Sequence, residues 1–342
     1  MVAAEESPAP GDHGLASRPV TLDEAVGVLT GARQVVLLAH VNPDADALGS
    51  ALALGLALHR RGAQVQVSFG APEHPAESLR DLDVAGLVVP HHRVVHVPEL
   101  LVVLDTGSVD RLGSLADRAE TADTTLVIDH HVSNSGFGTY YYVDPRAEAT
   151  AVMVLHLLDA MGASVDLPTA RCLYAGLVTD TRNFRAASPD THAMAARLLV
   201  AGVDAEAVTR PLLDTHPFSW LAMLSAVLAT ARLEVDEARG LGLVHALVTR
   251  DHTDVGRQEE IESVIDVLRT TAEAEVAVVL KQVGDRRWTA NMRSKGRLDV
   301  AAAASALGGG GHRHASGFTV DGDAPDILDR VRHALADAPL LG

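Results

Sequence analysis

The chain of 342 residues has one cysteine, Cys172, so an internal disulfide framework is excluded and a reducing, cytoplasmic setting is expected. Cys172 lies in an apolar helical stretch and reads as a small core residue rather than a nucleophile. Aromatic residues make up only 3%. Proteins that grip long single strands stack successive bases on aromatic rings, so a processive nuclease acting on long strands is disfavoured. Positive charge is also scarce, with 28 Lys and Arg against 45 Asp and Glu and a formal net charge of −17. Broad binding to duplex DNA needs a basic surface and is not expected. Long apolar runs are missing too. The longest, near Ala47 to Leu58, is too short to span a bilayer and ends in His-Arg-Arg, so no membrane association is expected. The first residues, MVAAEESPAPGDHG, carry acids where a signal peptide carries bases. Residues 1–18 read as a disordered tail.

What is present is a globular composition, 47% hydrophobic and 21% charged, long enough for two domains. Thr21-Leu-Asp-Glu24 is a capping box that opens a helix. Apolar strand-like runs at 34–39, 64–69, 100–105 and 124–129 alternate with helical runs at 47–62, 148–162, 169–180 and 191–202. This alternation predicts an α/β class, with an open parallel sheet covered by helices on both faces over residues 19–205. Residues 206–236 read as a helical connector. A smaller α/β domain follows over 237–342, with strands expected at 241–249, 274–283, 287–293 and 316–321.

Three strands of the first domain end in potential metal ligands. The first gives way to His40, Asp44 and Asp46; the third ends in Asp105; the fourth ends in Asp129, His130 and His131. Asp180 closes the helical run LYAGLVTD. Ligands of open α/β sheets bind at the carboxyl ends of the strands, so topology alone brings these side chains to one edge. Singly, Asp44 and Asp46 are ordinary helix-capping residues and Asp105 an ordinary turn residue. Together they form a cluster whose acids repel by about 4 kcal/mol per pair at ~4 Å and an effective dielectric near 20. Two divalent cations sharing a carboxylate would offset this. Imidazole mixed with carboxylate favours Mn²⁺ or a similar first-row ion such as Co²⁺, with Mg²⁺ as the other candidate. In the second domain, seven Lys and Arg between Lys281 and His314 form a local basic patch around four glycines, 308–311. That combination suits a small anionic ligand better than a polymer.

The motifs HVNPDADALGS, LDTGS, IDHH and LVTDT, in that order, resemble those of the DHH phosphoesterase superfamily, and GGGGHRHASGF resembles the glycine-rich motif of the accessory DHHA1 domain. The resemblance runs from about residue 20 to 335 and is nearest to the bacterial nanoRNase and pAp phosphatase type, whose relatives also hydrolyse cyclic di-AMP. It implies a DHH catalytic domain at 19–205 and a DHHA1 substrate-binding domain at 237–342. One metal would be held by His40, Asp44 and Asp105, and a second by Asp46, Asp105, His130 and Asp180. Asp129 would orient the His pair and His131 would serve the substrate phosphate. Arg185, Asn291, Arg293, Ser294, Gly310, Gly311 and His312 would contact substrate. The implied activity is two-metal hydrolysis of short oligoribonucleotides, pAp, pApA or cyclic di-AMP to nucleoside monophosphates, by a homodimer. Competing readings are a manganese pyrophosphatase, which would lack the GGGGH motif, and a non-catalytic cyclic-dinucleotide sensor, which would lack some of the ligands.

Overall fold

The computed structural model describes residues 17–134, 136–253 and 257–341. Most of the expected tail, residues 1–16, lies outside them. Its last residue does not belong to a tail, because Arg18–Pro19 forms a short strand, β1, against Tyr140 and Tyr141.

Six parallel strands build the first sheet. They are β1, β2 (Gln34–Leu38), β3 (Gln64–Ser68), β4 (Leu100–Leu104), β5 (Thr124–Asp129) and β6 (Tyr140–Val143), in spatial order β1-β6-β5-β4-β2-β3. The strand β6 was not expected from sequence. It is four residues of half-buried tyrosine and valine, too short for an alternation to register. After β3 the chain returns to place β4 on the other side of β2, so strand order reverses between β2 and β4. That reversal opens a crevice at their carboxyl ends.

Residues two apart on a strand face opposite cores from their neighbours. Val35, Leu37, Val102, Leu104, Leu126 and Ile128 pack with the helices Ala45–Arg60, Thr150–Ala160 and Leu167–Asp180. Val36, Leu38, Leu101, Val103 and Val127 pack instead with Val94, Leu112 and Leu115. Helices therefore lie on both faces, as expected, but unequally. The long helices lie on one face, and the other is covered by 3₁₀ turns and the short helix Arg118–Thr121. Gly113, at φ 58°, breaks the Val109–Leu115 segment before it can extend.

The second sheet is mixed. It contains β7 (Arg232–Glu234), β8 (Leu243–Val248), β9 (Val276–Gln282), β10 (Arg287–Ser294), β11 (Gly310–His312) and β12 (Ala315–Asp321), in order β11-β12-β10-β9-β8-β7, with only β8 and β9 parallel. One expectation changes here. The stretch read as a helical connector ends in a strand, β7, which pairs with β8. Its helix Phe218–Leu228 also buries Met223 and Val227 among Val244, Ile261 and Val264. The glycine run 308–311 contributes to an edge strand, β11, paired with β12. A Cβ at Gly309 would stand 2.0 Å from the Gly317 carbonyl oxygen, so close strand approach demands glycine there. Among the described residues no helix is long and apolar enough to cross a membrane.

The helices Ala45–Arg60 and Leu167–Asp180 cross in contact at two glycines. A Cβ at Gly49 would meet the Cys172 carbonyl oxygen at 2.5 Å, and one at Gly176 would meet Asp46 Oδ1 at 2.5 Å. Gly176→Ala should therefore destabilise the protein by ~1–3 kcal/mol through overpacking. Gly27→Ala, at a helical position with nothing within 4 Å, should be neutral or slightly stabilising. Thermal denaturation of both variants reads the difference, and equal melting temperatures would contradict it.

Candidate metal centre

The crevice at the strand reversal is lined by acids and imidazoles from five segments. His40 follows β2 and is buried; its Nδ1 is hydrogen-bonded to the Val41 carbonyl at 2.8 Å, which leaves Nε2 for the crevice. Nε2 lies 3.6 Å from Asp44 Oδ2 and 3.7 Å from Asp105 Oδ2. Asp44 combines the two readings available from sequence. Its Oδ1 caps the helix Ala45–Arg60 by accepting from the amides of Asp46 and Ala47, while Oδ2 faces His40. Asp46 lies on the first turn of that helix and is completely buried.

Asp105 follows β4 at φ 53°, a left-handed conformation that aspartate tolerates better than most residues. Its Oδ1 lies 3.3 Å from His130 Nε2 and 3.6 Å from His131 Nδ1. Asp180, the last residue of its helix, places Oδ2 at 3.3 Å from His130 Nε2. All six expected ligands thus come together, in two groups whose donor atoms lie within 4.8 Å of one another: His40, Asp44 and Asp105 in one, Asp46, His130 and Asp180 in the other.

The expected orienting role of Asp129 divides between two contacts. Asp129 Oδ1 accepts from His131 Nδ1 at 2.7 Å and from the His130 backbone amide at 2.9 Å. The His130 ring itself is held by the Ala147 carbonyl, at 3.0 Å from Nδ1. Three contributors were not picked out by sequence. Asn134 donates to Asp129 Oδ2 at 2.7 Å, Thr150 donates its hydroxyl to Asp105 Oδ1 at 2.9 Å, and Ser50 donates to Asp46 Oδ1 at 3.3 Å. A serine one turn after Asp46 is the only one of these that spacing could have suggested.

Burial opposes charge throughout the crevice, and proximity decides where protons go. Burial pulls the His40 imidazole down, but the Asp105 and Asp44 carboxylates outweigh it and hold the group up at about 10. His130 is likewise lowered by burial yet raised further by Asp105 and Asp180, to about 12. Asp46 is pushed well above the usual carboxylate range by burial and then by Asp180 and Asp105. Burial also lifts Asp180, to about 6. Without added cations the acids can be accommodated only by keeping protons on neighbouring imidazoles and carboxyls. Divalent cations fit this site on an independent ground as well. His130 Nε2 is buried with no hydrogen-bond partner, although two carboxylates face it. An imidazole nitrogen among carboxylate oxygens is a donor set for a first-row ion.

The second half of the chain reaches the crevice through β11. The His312 ring stacks on His131 at 4.3 Å between centroids and lies 4.8 Å from His130. Burial and the adjacent His131 and His130 bring His312 down to about 3. Register aligns His312 with Ala315 and Arg293, and Gly310 with Gly317 and Asn291. Gly310 abuts the first half, since a Cβ there would be 3.9 Å from Ser133. Gly311, at φ 137°, lies against the backbone of β12. Burial lowers the Arg293 guanidinium, which has no carboxylate within ion-pair distance among the described residues.

The other expected substrate contacts are placed less directly. Asn291 donates to Glu262 at 2.5 Å and accepts from Lys281 at 3.2 Å. Ser294 donates its hydroxyl to the buried Glu275 at 2.9 Å, which commits it to a fold contact. Arg185 is exposed on a turn in which Arg182, Asn183 and Phe184 all have positive φ, and its side chain meets none of the crevice residues at hydrogen-bond distance. The basic patch is also less coherent than its composition. Lys281 pairs with Glu262, Arg286 with Asp323, Arg287 with Asp321 and Arg313 with Asp299.

Comparison with known proteins agrees with this architecture. The DHH family N-terminal domain model matches residues 34–177 and the DHHA1 domain model residues 243–337. The bifunctional oligoribonuclease and PAP phosphatase NrnA of Thermus thermophilus is 30% identical over 306 residues, 89% of each chain. The cyclic-di-AMP phosphodiesterase GdpP of Geobacillus thermodenitrificans is 26% identical over 89% of this chain, which spans 47% of that longer protein. The crystal structure of an exopolyphosphatase-related protein from Bacteroides fragilis superposes with a TM-score of 0.80 at 22% identity, covering 92% of this chain and 95% of that one, and so shares the fold. With its strand-end acids gathered at one crevice and a DHHA1 domain closing over them, the chain belongs to the DHH family of phosphoesterases.

Proposed function

We propose that the protein hydrolyses short oligoribonucleotides and small adenine nucleotides of the pAp, pApA and cyclic di-AMP kind to nucleoside monophosphates. The observation that carries this reading is the stack of His312 on His131 beside the carboxylate cluster. It brings the second half of the chain against the carboxylate cluster, which supports a small substrate held by both halves rather than a long strand. The relatives named for oligoribonucleotides, PAP and cyclic di-AMP support the substrate class.

His40, Asp44 and Asp105 would hold one cation and Asp46, His130 and Asp180 a second, with Asp105 shared. An imidazole in each group favours Mn²⁺. Bound there, the pair of cations would lower the pKa of a water and offset charge on the phosphoryl oxygens. The chain's own residues do the rest. Asn134 fixes Asp129, and Asp129 fixes His131 through Nδ1, which leaves His131 Nε2 to meet a phosphate or leaving oxygen. His312, neutral at physiological pH, offers a hydrogen bond rather than a charge to the adjoining phosphate. Arg293, in register with His312 on the same sheet face, supplies the fixed positive charge. The presence of all six ligands in one crevice favours turnover over mere sensing of a cyclic dinucleotide.

Purified protein supplied with Mn²⁺ should release AMP from pApA, pAp or cyclic di-AMP and lose this activity in chelator. Turnover of none of the three, with Mn²⁺ bound, would defeat the reading. Asp105→Asn removes the shared ligand and should weaken Mn²⁺ binding by more than the ~10–100-fold typical of an outer partner, with activity lost in parallel. Metal analysis and AMP release check this together, and an active, fully loaded variant would contradict it. His312→Ala removes a hydrogen bond to a charged group worth about 1.5–3 kcal/mol, or roughly 10- to 100-fold in KM, while metal content stays unchanged. Steady-state kinetics on pApA and on a minimal aryl phosphodiester separates the two halves. An equal loss on both substrates would remove the proposed division of labour.

A further inference from the structure

Thr150 stands between two carboxylates that belong to different ligand groups. Its hydroxyl donates to Asp105 Oδ1 at 2.9 Å, and its backbone N–H donates to Asp46 Oδ2 at 2.6 Å. The next amide, of Ala151, donates to Asp46 Oδ1 at 2.9 Å. Thr150 and Asp46 are both 0% exposed. Thr150 opens the helix Thr150–Ala160, which has no side-chain cap of its own at Ala149. The first amides of a helix lack partners within it, and two of them here are satisfied by Asp46, from 104 and 105 residues away. The hydroxyl has a different use. A helical threonine commonly bonds back to a carbonyl one turn earlier, as Thr179 does to Ala175. That of Thr150 is instead given to Asp105 and, among the described residues, is the only hydrogen bond that carboxylate receives.

Asp105 needs such a partner. It lies just past the end of β4 at positive φ, so strand packing does not fix its side chain. Its Oδ2 faces His40 and its Oδ1 faces His130. We propose that Thr150 is a positioning residue that locks the shared Asp105 carboxylate in register with Asp46, so that both ligand groups are held in one frame. This rests on the two-cation reading above. Because the hydroxyl holds the oxygen facing His130, its loss acts on the group of Asp46, His130 and Asp180 and spares that of His40 and Asp44.

Thr150→Val keeps the shape and the backbone amide and deletes the hydroxyl, and Thr150→Ser keeps the hydroxyl. Chelator-stripped full-length protein is titrated with Mn²⁺, and free ion is followed by electron paramagnetic resonance. Wild-type protein should bind two ions. Thr150→Val should keep one at near wild-type affinity and bind the other ~10–100-fold more weakly, as for other outer-sphere partners, while Thr150→Ser restores both. Two ions bound by Thr150→Val with wild-type affinity would overturn the proposal. So would equal weakening of both ions with no rescue by serine, which marks a merely structural role. Should Thr150→Val fail to fold, by circular dichroism and gel filtration, Thr150→Ala is read in the same titration against the same outcomes. Wild-type protein that binds no Mn²⁺ would instead sink the two-cation reading itself, a result distinct from either.

Discussion

Five aspartates, Asp44, Asp46, Asp105, Asp129 and Asp180, lie at one edge of one sheet, and their mutual repulsion is the constraint that organises the catalytic half. At separations near 4 Å each pair of charges repels by about 4 kcal/mol even at an effective dielectric of 20. A fold stable by some 5–15 kcal/mol cannot absorb several such terms without compensation. Four of the five are therefore given hydrogen-bond donors, and Asp180 faces the His130 imidazole. Asp44 receives two helix amides, Asp46 two more and the Ser50 hydroxyl, Asp129 an amide, an imidazole and the Asn134 amide, and Asp105 the Thr150 hydroxyl. What these donors leave over is a set of oxygens and imidazole nitrogens pointed at two common positions.

The scaffold is arranged so that this set is stiff. His40, Asp105 and Asp129 stand at the ends of three adjacent strands whose interior residues are almost entirely buried. Asp46 and Asp180 lie at facing ends of two helices that approach closely through Gly49 and Gly176. Glycine at Gly176 is thus tied to the chemistry as well as to packing, since the atom a larger residue would strike belongs to Asp46. Precise placement of ligands on strand ends and helix termini is what metal sites require of a protein.

Much of this was legible in the chain, for a physical reason. Strand-end acids are conspicuous, because an apolar run that stops at Asp105 or at Asp129-His130-His131 has no packing use for those residues, and the topology rule then says where they meet. Thr150 and Asn134 were not legible, because a hydroxyl 45 residues from Asp105 and a loop amide near Asp129 carry no periodic signal. Ser50, by contrast, lies one helical turn after Asp46, at a spacing that could have suggested it. The conformation of the glycine run was not legible either, because glycines carry no alternation to mark an edge strand lying close to β12. The basic patch misled in charge, because linear proximity of Arg286, Arg287 and Arg313 says nothing of the aspartates that fold back onto them. Short or mostly exposed strands such as β1, β6 and β7 are below the length at which alternation can be read.

The junction between the two halves differs in kind from either interior. Among the described residues no apolar cluster spans both: two belong to the first half and two to the second. What joins them is polar. Glu259 accepts from the Glu77 amide at 3.0 Å and the Ser78 hydroxyl at 2.6 Å, Arg257 pairs with Glu77, and His312 rests on His131. Hydrogen bonds and exposed ion pairs exchange for contacts with water at a net cost of about 1 kcal/mol each, whereas parting an apolar interface costs in proportion to its area. Each half therefore keeps its own apolar interior, and the polar seam adds little to either. The carboxylate frame lies wholly on one side of that seam, and His312 reaches it from the other.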